Sequence, residues 1–531
     1  MKKNSSLIVL IVCFILGFSI RVIGLSAYPP GLNWDEVSLG YNAYSLLKSG
    51  HDEWGKHFPI IFQAYGDYKL PLYVYYAVPT ISIFGLTPVG VRLPSAIFGS
   101  GLIILTFSLS YRLFKNKYLG LIGAFLVAVS PWTVFLSRIA VEGNMAAFFI
   151  SLGLYFGLTG KYKLSALFMG ISVWTYNSAR FFTPAVILFA VFHFRHKFEK
   201  IFSPLAISAV FIIPMFIQMF NPAGTARLGW LTLLDSGALA QIEASRAASD
   251  FPIPRLLYNK VTYFSYHFVS NYLSYLGPDF LFVNGGSHYQ FNIPHLGLLA
   301  PVCSLFFYLG LFFLVLSKKP ESKFLLLWLL LAPVAGSVTR DSPHTLRAIT
   351  MLPLPMLISA FGFIEILKHS RFFKVPVMVI FVIGIVYSFW RFSFTYTSAY
   401  TRDYSWSWQY GHAQVVAYIN SVYTDYDEII FTKKYGEPHE FVLFYSSWSP
   451  EKYVSDQKLV RYFKSDWYWV DGFAKYRFIN DWEMSDFVKS LSKPGKYLIV
   501  SGPDNQIIAD KLLDVKFLDH KPAFTVLKKI I

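Results

Sequence analysis

The chain is short of charge and almost without cysteine. Asp, Glu, Lys and Arg make up 15% of its 531 residues, against roughly 25% for a soluble chain. Its two cysteines, Cys13 and Cys303, both lie inside apolar runs, which excludes a disulfide framework. No CxxC or HExxH spacing occurs, so no metal site and no cofactor are expected. A basic helix and an aromatic RNA-binding motif are both missing. The net charge of +16 is therefore not read as a nucleic-acid footprint. There is no internal repeat and no low-complexity linker.

What fills the chain instead is apolar and aromatic: 54% hydrophobic residues, 19% of all residues being Phe, Tyr or Trp. Amphipathic rings in that number suit the two interfaces of a bilayer. A helix needs about 20 apolar residues to cross the hydrocarbon core. Apolar runs at 7–25, 92–113, 118–136, 144–160, 163–178, 181–194, 200–220, 296–316, 323–338, 347–368 and 375–391 give eleven expected spans. The first run follows Lys2 and Lys3 and is too long for a signal-peptide core. It is read as an uncleaved helix with its N-terminus in the cytoplasm. A twelfth candidate, 70–87, is short and holds Pro71 and Pro79.

Loop charge sets the parity. Arg112/Lys115/Lys117, Lys161/Lys163, Arg195/Lys197/Lys200, Lys318/Lys319/Lys323 and Lys368/Arg371/Lys374 share the side of Lys2 and Lys3 only if 70–87 does not cross. That segment is accordingly expected to be interfacial or re-entrant. The expected fold is a polytopic α-helical membrane protein with a small extracytoplasmic α/β C-terminal domain. Residues 1–391 form the membrane module, with external loops 26–91 and 221–295. Residues 392–531 form the soluble domain, where charge rises and no run is long enough to span. Within it, 413–421 reads as helix, and 428–432, 441–445 and 497–501 read as strands. In the first loop, apolar residues at 37, 41, 44 and 47 predict a short helix lying in the membrane interface.

The external side carries few ionisable residues, and these are the site candidates. Asp35 and Glu36 follow the first helix. A carboxylate there suits a general base for glycosyl transfer; Asp35 as the cap of the interfacial helix is the structural alternative. Asp67 and Lys69 close the same loop, Lys69 reading either as a lipid-phosphate ligand or as a snorkelling side chain. Arg138 and Glu142 stand four apart, which suits a phosphate fork or an ion pair. His344 and Arg347 lie in Thr339-Arg340-Asp341-Ser342-Pro343-His344-Thr345-Leu346-Arg347, a receiver for a phosphate leaving group or a polar connector. Arg92 and Arg180 are further single cations at span ends. Ionisable residues at a membrane edge are functional candidates by default.

The order of these pieces resembles a known family. One helix precedes Asp35-Glu36, then Lys69-Leu70-Pro71-Leu72-Tyr73, then Val91-Arg92-Leu93-Pro94-Ser95, then Ser130-Pro131-Trp132 with Ser137-Arg138 and Glu142, and later Pro343-His344-Thr345-Leu346-Arg347-Ala348. This is similar to the protein O-mannosyltransferase and lipid A aminoarabinose transferase group of the GT-C superfamily, best over residues 7–200. The resemblance implies a GT-C fold and a polyprenyl-phosphate-linked sugar donor. It also implies an acceptor on the extracytoplasmic side and inversion at the anomeric carbon. Asp35 matches the group's catalytic acidic residue, Glu36 completes the mannosyltransferases' Asp-Glu pair, Lys69 resembles the donor-phosphate lysine of the aminoarabinose transferases, and Arg138 matches the mannosyltransferases' Ser-Arg. The expected partners are that donor, an acceptor of unknown class and the lipid bilayer.

Two rival classes remain. A transporter or flippase of lipid-linked sugars explains the spans equally, but the sequence shows no matching pair of broken helices. A scaffold presenting the tail leaves the external charged residues without a role.

Overall fold

The computed structural model describes residues 3–194, 198–221, 232–369 and 373–531. Lys2, Arg195, Lys197 and Arg371, used above to set topology, lie outside the described residues, as do 222–231 of the second external loop. The chain divides into two units. The first, the helical unit, comprises Met1–Ile23, Ser95–Ser137 and Val141–Ser393. The second, the mixed unit, comprises Gly24–Pro94, Arg138–Ala140 and Phe394–Ile531. The C-terminal segment thus starts close to the expected boundary at 392, and the mixed unit also takes in the first external loop.

All eleven apolar runs contain helix, but most of these helices are shorter than the runs. Helix α1 is Lys3–Val22 and α2, in the mixed unit, is Trp34–Ser49. Then follow α3 (Pro71–Phe84), α4 (Pro88–Phe114), α5 (Lys117–Val129), α6 (Pro131–Ser137), α7 (Gly143–Leu158), α8 (Tyr162–Ser172), α9 (Ala179–Phe194) and α10 (Phe198–Met219). Five helices among the described residues are long and apolar enough to cross a bilayer. They number six if α5 and α6, bent by 52°, count as one span. The others fall short for a geometric reason. At 1.5 Å per residue the 16 residues of α7 reach about 24 Å and the 14 of α3 about 21 Å, against a hydrocarbon core of about 30 Å. The helix Lys374–Thr395 leaves Ile380, Ile383, Val386 and Trp390 well exposed, as expected of a face that meets lipid.

Two devices hold the helical unit together. At the α5–α6 bend, Pro131 brings no N–H, and the carbonyls of Val127 and Ala128 are taken by Arg21, which is fully buried on α1. Its guanidinium donates to Val127 O at 2.9 Å, Ala128 O at 3.0 Å and Gly17 O at 2.8 Å. The helices Cys303–Leu316 and Leu354–His369 meet backbone to backbone at Gly310 and Gly362; a Cβ at Gly362 would stand 2.8 Å from the Gly310 nitrogen. Small residues permit this approach where lipid gives no hydrophobic drive for helices to associate.

The mixed unit carries a two-stranded ribbon, β1 (Phe62–Gln63) with β2 (Tyr68–Lys69), and a seven-stranded sheet. The sheet strands are β3 (Glu428–Thr432), β4 (Val460–Lys464), β5 (Trp467–Phe473), β6 (Tyr476–Ile479), β7 (Lys496–Ser501), β8 (Asp510–Lys516) and β9 (Pro522–Ile530). Their order is β4-β5-β6-β3-β7-β9-β8, with β3 parallel to both β6 and β7 and the remaining pairs antiparallel. Central strands β3 and β7 are buried along nearly their whole length, as strands covered on both faces are. Ile430, Ile499 and Leu527 pack there against Met484 and Val488.

One sequence expectation is corrected. Residues 441–445, read as a strand, end the helix Pro438–Tyr445. Pro438 at its first turn is preorganised for a helix, and Phe441, Val442, Leu443 and Phe444 are buried on every side, which erases the periodicity that distinguishes the two. Helix α2, expected to lie in the membrane interface, is buried within its own unit over most of its length, with Leu47 near its end 40% exposed. It packs on α3 and on Pro438–Tyr445, with Val37, Tyr41 and Leu46 buried. Gly40 makes room for Phe444 and Val91, each 2.6 Å from where its Cβ would be.

Gly362→Ala should lower the stability of the detergent-solubilised protein by about 1–3 kcal/mol, the usual cost of overpacking. Gly40→Ala should do the same in the mixed unit. Thermal melts followed by tryptophan fluorescence measure both, and unchanged midpoints would contradict the close approaches.

Candidate functional site

Asp35 and Glu36 are adjacent in sequence and opposite in environment, because the start of α2 turns them different ways. The cap of α2 is Asn33, not Asp35. The Asn33 side chain accepts from Glu36 N at 2.9 Å and Glu36 returns the bond to Asn33 N at 3.2 Å. This capping box draws Glu36 inward to 1% exposure. There its carboxylate meets Arg92, with Nε on Oε1 at 2.8 Å and Nη2 on Oε2 at 2.9 Å, and accepts from Ala140 N at 2.8 Å. Arg92, itself fully buried, spends its remaining donors on the carbonyls of Leu25 at 2.9 Å, Pro29 at 3.0 Å and Gly31. The pair therefore ties the loop 25–33, the start of α2, the start of α4 and the segment 138–140 together. Neither residue faces solvent.

Asp35 points out. Its side chain is 41% exposed and lies 2.8 Å from Lys69 Nζ, while Asp67 approaches the same ammonium at 3.7 Å. Lys69 sits on β2, which pairs with β1 across a turn at Gly66; Phe62 opposes Lys69 and Gln63 opposes Tyr68. Tyr65 secures that turn to the head of α2 by donating its hydroxyl to the Trp34 carbonyl at 3.0 Å. One lysine between two carboxylates, open to solvent on one side, can exchange part of its charge pairing for an incoming anion.

Arg138 belongs to the same unit but is buried. Nη2 donates to Gly24 O at 3.0 Å and Tyr28 O at 3.2 Å, and the guanidinium lies over the Tyr396 ring at 5.5 Å. The remaining candidates belong to the helical unit. Glu142 stands at the N-terminus of α7. Arg180 is buried and donates to Gln218 Oε1 at 3.3 Å. The His344 ring is buried, its Nδ1 accepting from Leu346 N at 3.2 Å, with His288 and Phe291 beside it. Arg347 donates to Thr339 Oγ1 at 2.7 Å and reaches Asp341 at 3.4 Å. The structure thus brings Asp35, Asp67 and Lys69 together at a surface and places Glu36, Arg92 and Arg138 in the interior of the same unit. Among the described residues no cluster of His, Cys, Asp and Glu could hold a metal ion.

Sequence reasoning passed over a second acidic group in the mixed unit. Glu53, Glu437 and Glu440 are all buried, around His439 and Tyr65. Burial, reinforced by the neighbouring Glu53, holds the Glu440 carboxyl well above the usual range, and the two acids share a hydrogen bond. Burial pushes Glu437 up to about 7, tempered by the hydrogen bond it accepts from Trp467 Nε1 at 2.5 Å. His439 lies 3.4 Å from Glu437 and 3.7 Å from Glu440, yet burial takes it down to about 3 and keeps it neutral, so these approaches are not ion pairs. The signal available in sequence was the run Glu437-Pro438-His439-Glu440, with three ionisable residues at the head of an apolar segment.

Comparisons with known proteins bear on the fold. Residues 11–176 match the family model of dolichyl-phosphate-mannose-protein mannosyltransferases. No curated protein matches in sequence. Among solved structures, the chain is similar to apo ArnT from Cupriavidus metallidurans, with a TM-score of 0.55 at 11% identity over 98% of this chain and 97% of that one. It is similar also to the apo oligosaccharyltransferase of Archaeoglobus fulgidus, with a TM-score of 0.52 at 13% identity over 84% of this chain and 64% of that one. The oligosaccharyltransferase AglB from the same organism, in complex with an inhibitory peptide and a dolichol-phosphate, gives 0.51 at 14% identity over 79% and 58%. The chain therefore spans less than two thirds of the length of the oligosaccharyltransferases it matches. These neighbours are membrane glycosyltransferases of the GT-C type, and the fold is theirs.

Two outcomes are expected from the site. Arg92→Met strands a buried carboxylate and should cost about 3–5 kcal/mol; adding Glu36→Gln should recover most of it. A thermal melt of each variant reads this, and a double variant no better than the single one would contradict it. For Glu437 the folded pKa lies above the unfolded one. As pH rises from about 4.5 to about 7 the unfolded chain loses a proton that the folded one retains, and stability falls. His439 and His412, held down to about 3 and about 4 by burial, act in the opposite sense below about 6.5. Glu437→Gln should therefore gain melting temperature relative to the native protein between about pH 5 and 7.5, and level off above.

Proposed function

We propose that this chain, folded as a GT-C glycosyltransferase, transfers a sugar from a polyprenyl-phosphate carrier to an acceptor on the extracytoplasmic side, with inversion at the anomeric carbon. The contact of solvent-facing Asp35 with Lys69, at 2.8 Å, carries this reading. Asp35 takes the acceptor's proton as the acceptor oxygen or nitrogen attacks C1. The bond from C1 to the phosphate oxygen breaks, and polyprenyl phosphate leaves with the electron pair. Lys69 neutralises the charge that builds on that phosphate. In the resting state Asp35 and Asp67 share the ammonium; an arriving donor phosphate takes part of it, freeing Asp35 for the acceptor. Glu36, with its carboxylate committed to Arg92 and Ala140, acts by holding the loop rather than by touching substrate.

The same reading puts the N-terminus in the cytoplasm, about eleven helices through or into the membrane, and the C-terminal segment outside. The basic loops at Lys115, Lys161, Lys318 and Lys368 support that orientation. The enzyme is then a hexosyl- or pentosyltransferase that needs no metal, since the leaving group is already stable as an anion.

Incubation of the purified protein with a radiolabelled polyprenyl-phosphate sugar tests this, with released polyprenyl phosphate as the readout. Asp35→Asn should keep donor binding and lose roughly 10²–10⁴-fold in transfer. Lys69→Met should weaken donor binding as well as turnover. Asp35→Asn turning over like the native protein would remove the base assignment, and bilayer translocation without release would identify a flippase.

A further inference from the structure

The β4–β5 hairpin carries a row of aromatic side chains that the transfer chemistry does not use. Its turn residues Ser465 and Asp466 have φ of +53° and +58°, the left-handed pair of a tight two-residue hairpin. Alternation along the strands then sorts the side chains into two faces. Register pairs Tyr462 with Trp469 and Lys464 with Trp467 on one face, and Phe463 with Tyr468 and Arg461 with Val470 on the other.

The second face is occupied at Tyr468 and Arg461, while Phe463 on it is 57% exposed. Tyr468 meets Trp54 edge-on at 5.0 Å, and the Arg461 guanidinium lies 3.5 Å over the same indole. The first face presents rings and hydrogen-bonding groups together. Trp467 and Trp469 stand 6.3 Å apart at 45°, and Tyr462 beside them is 38% exposed. Lys433 lies 5.3 Å from the Trp469 ring centre and is ion-paired with Asp471, which also accepts from the Tyr462 hydroxyl at 3.3 Å.

We propose that this face binds the acceptor and that the acceptor is a neutral saccharide, an inference that rests on the transfer reading above. The apolar C–H face of a sugar ring suits the negative face of an aromatic ring. The hydroxyls around its rim want both acceptors and donors, which Asp471, Tyr462 and Lys433 supply. Lys433 and Asp471 are paired, and Lys464 and the turn residue Asp466 carry opposite charges, so the face has no net charge and suits an uncharged polyol rather than an anion. The row is continuous with the site. Trp467 stacks on Tyr65 at 5.8 Å and covers Gly66, where a Cβ would come 2.5 Å from its Cε3. Gly66 belongs to the turn that carries Lys69.

The test uses the full chain in lipid nanodiscs without donor. Mannotriose, maltotriose and chitotriose are titrated separately, and binding is read by saturation-transfer NMR at the sugar C–H protons. At least one should bind, about three- to tenfold more weakly to Tyr462→Ala and Trp469→Ala, with Trp469→Phe close to native. Asp35→Asn should bind the sugar normally in this donor-free titration while failing to release polyprenyl phosphate in a separate assay with donor, so failure of the platform and failure of the transfer reading are separable. Three results overturn the proposal. One is no saccharide binding by a protein that still turns over donor. Another is binding indifferent to both Trp469 variants. The third is quenching of Trp469 by brominated phospholipid, which would make the hairpin a membrane anchor.

Discussion

The mixed unit depends on one buried ion pair. Glu36 and Arg92 lie 56 positions apart and are both inaccessible to solvent. Placing two charges in such an interior is costly unless each is surrounded by hydrogen bonds, and here each is. The carboxylate receives Arg92, Ala140 and the Asn33 backbone, while the guanidinium serves Leu25, Pro29 and Gly31. The irregular loop that follows the first helix has few regular backbone partners of its own. Arg92 supplies them, so the loop's path is set by one side chain from α4.

That arrangement explains how two neighbouring carboxylates come to do different things. On a helix, successive side chains are about 100° apart, so a residue drawn into the capping box leaves its neighbour facing elsewhere. Glu36 is held inside and Asp35 is left at the surface, where the ribbon β1–β2 delivers Lys69 to it. The proposed base is therefore positioned by a group that never meets substrate. Tyr65 does the complementary work from the other side, bracing the ribbon against Trp34. The aromatic hairpin adjoins that brace through Trp467, so the loop that bears the charge and the face proposed for the acceptor share one support.

Some of this was legible in the residues. Each of the eleven apolar runs contains helix, but the helices Ser236–Ala247 and Lys260–Leu276 of the first unit lie outside them. The charge rise after 392 located the C-terminal segment. The motif order around Asp35, Lys69 and Arg138 located the group whose fold the chain adopts. The errors have particular causes. Residues 441–445 read as a strand because a fully buried helix shows no polar face. Asp35 was offered as the cap although Asn33-x-x-Glu36 is itself a capping signature. Glu437-Pro438-His439-Glu440 drew no functional reading, because nothing local reveals that three ionisable side chains turn inward to join Glu53. Spans were counted by run length, yet a helix such as α8 ends sooner, at Ser172, within the run 163–178.

The amino-acid sequence by itself determined the solvent this protein answers to. Long runs without charge can hide their backbone polar groups only by forming helices in an apolar medium, and that follows from composition and periodicity alone. It also placed acids and bases sparingly at the ends of those runs. Which of them stay accessible was decided only by the tertiary structure. Burial and pairing depend on partners far apart in the chain: Glu36 on Arg92, Asp35 on Lys69, Glu53 on Glu440. Their proximity is a property of the folded packing, which local spacing does not contain.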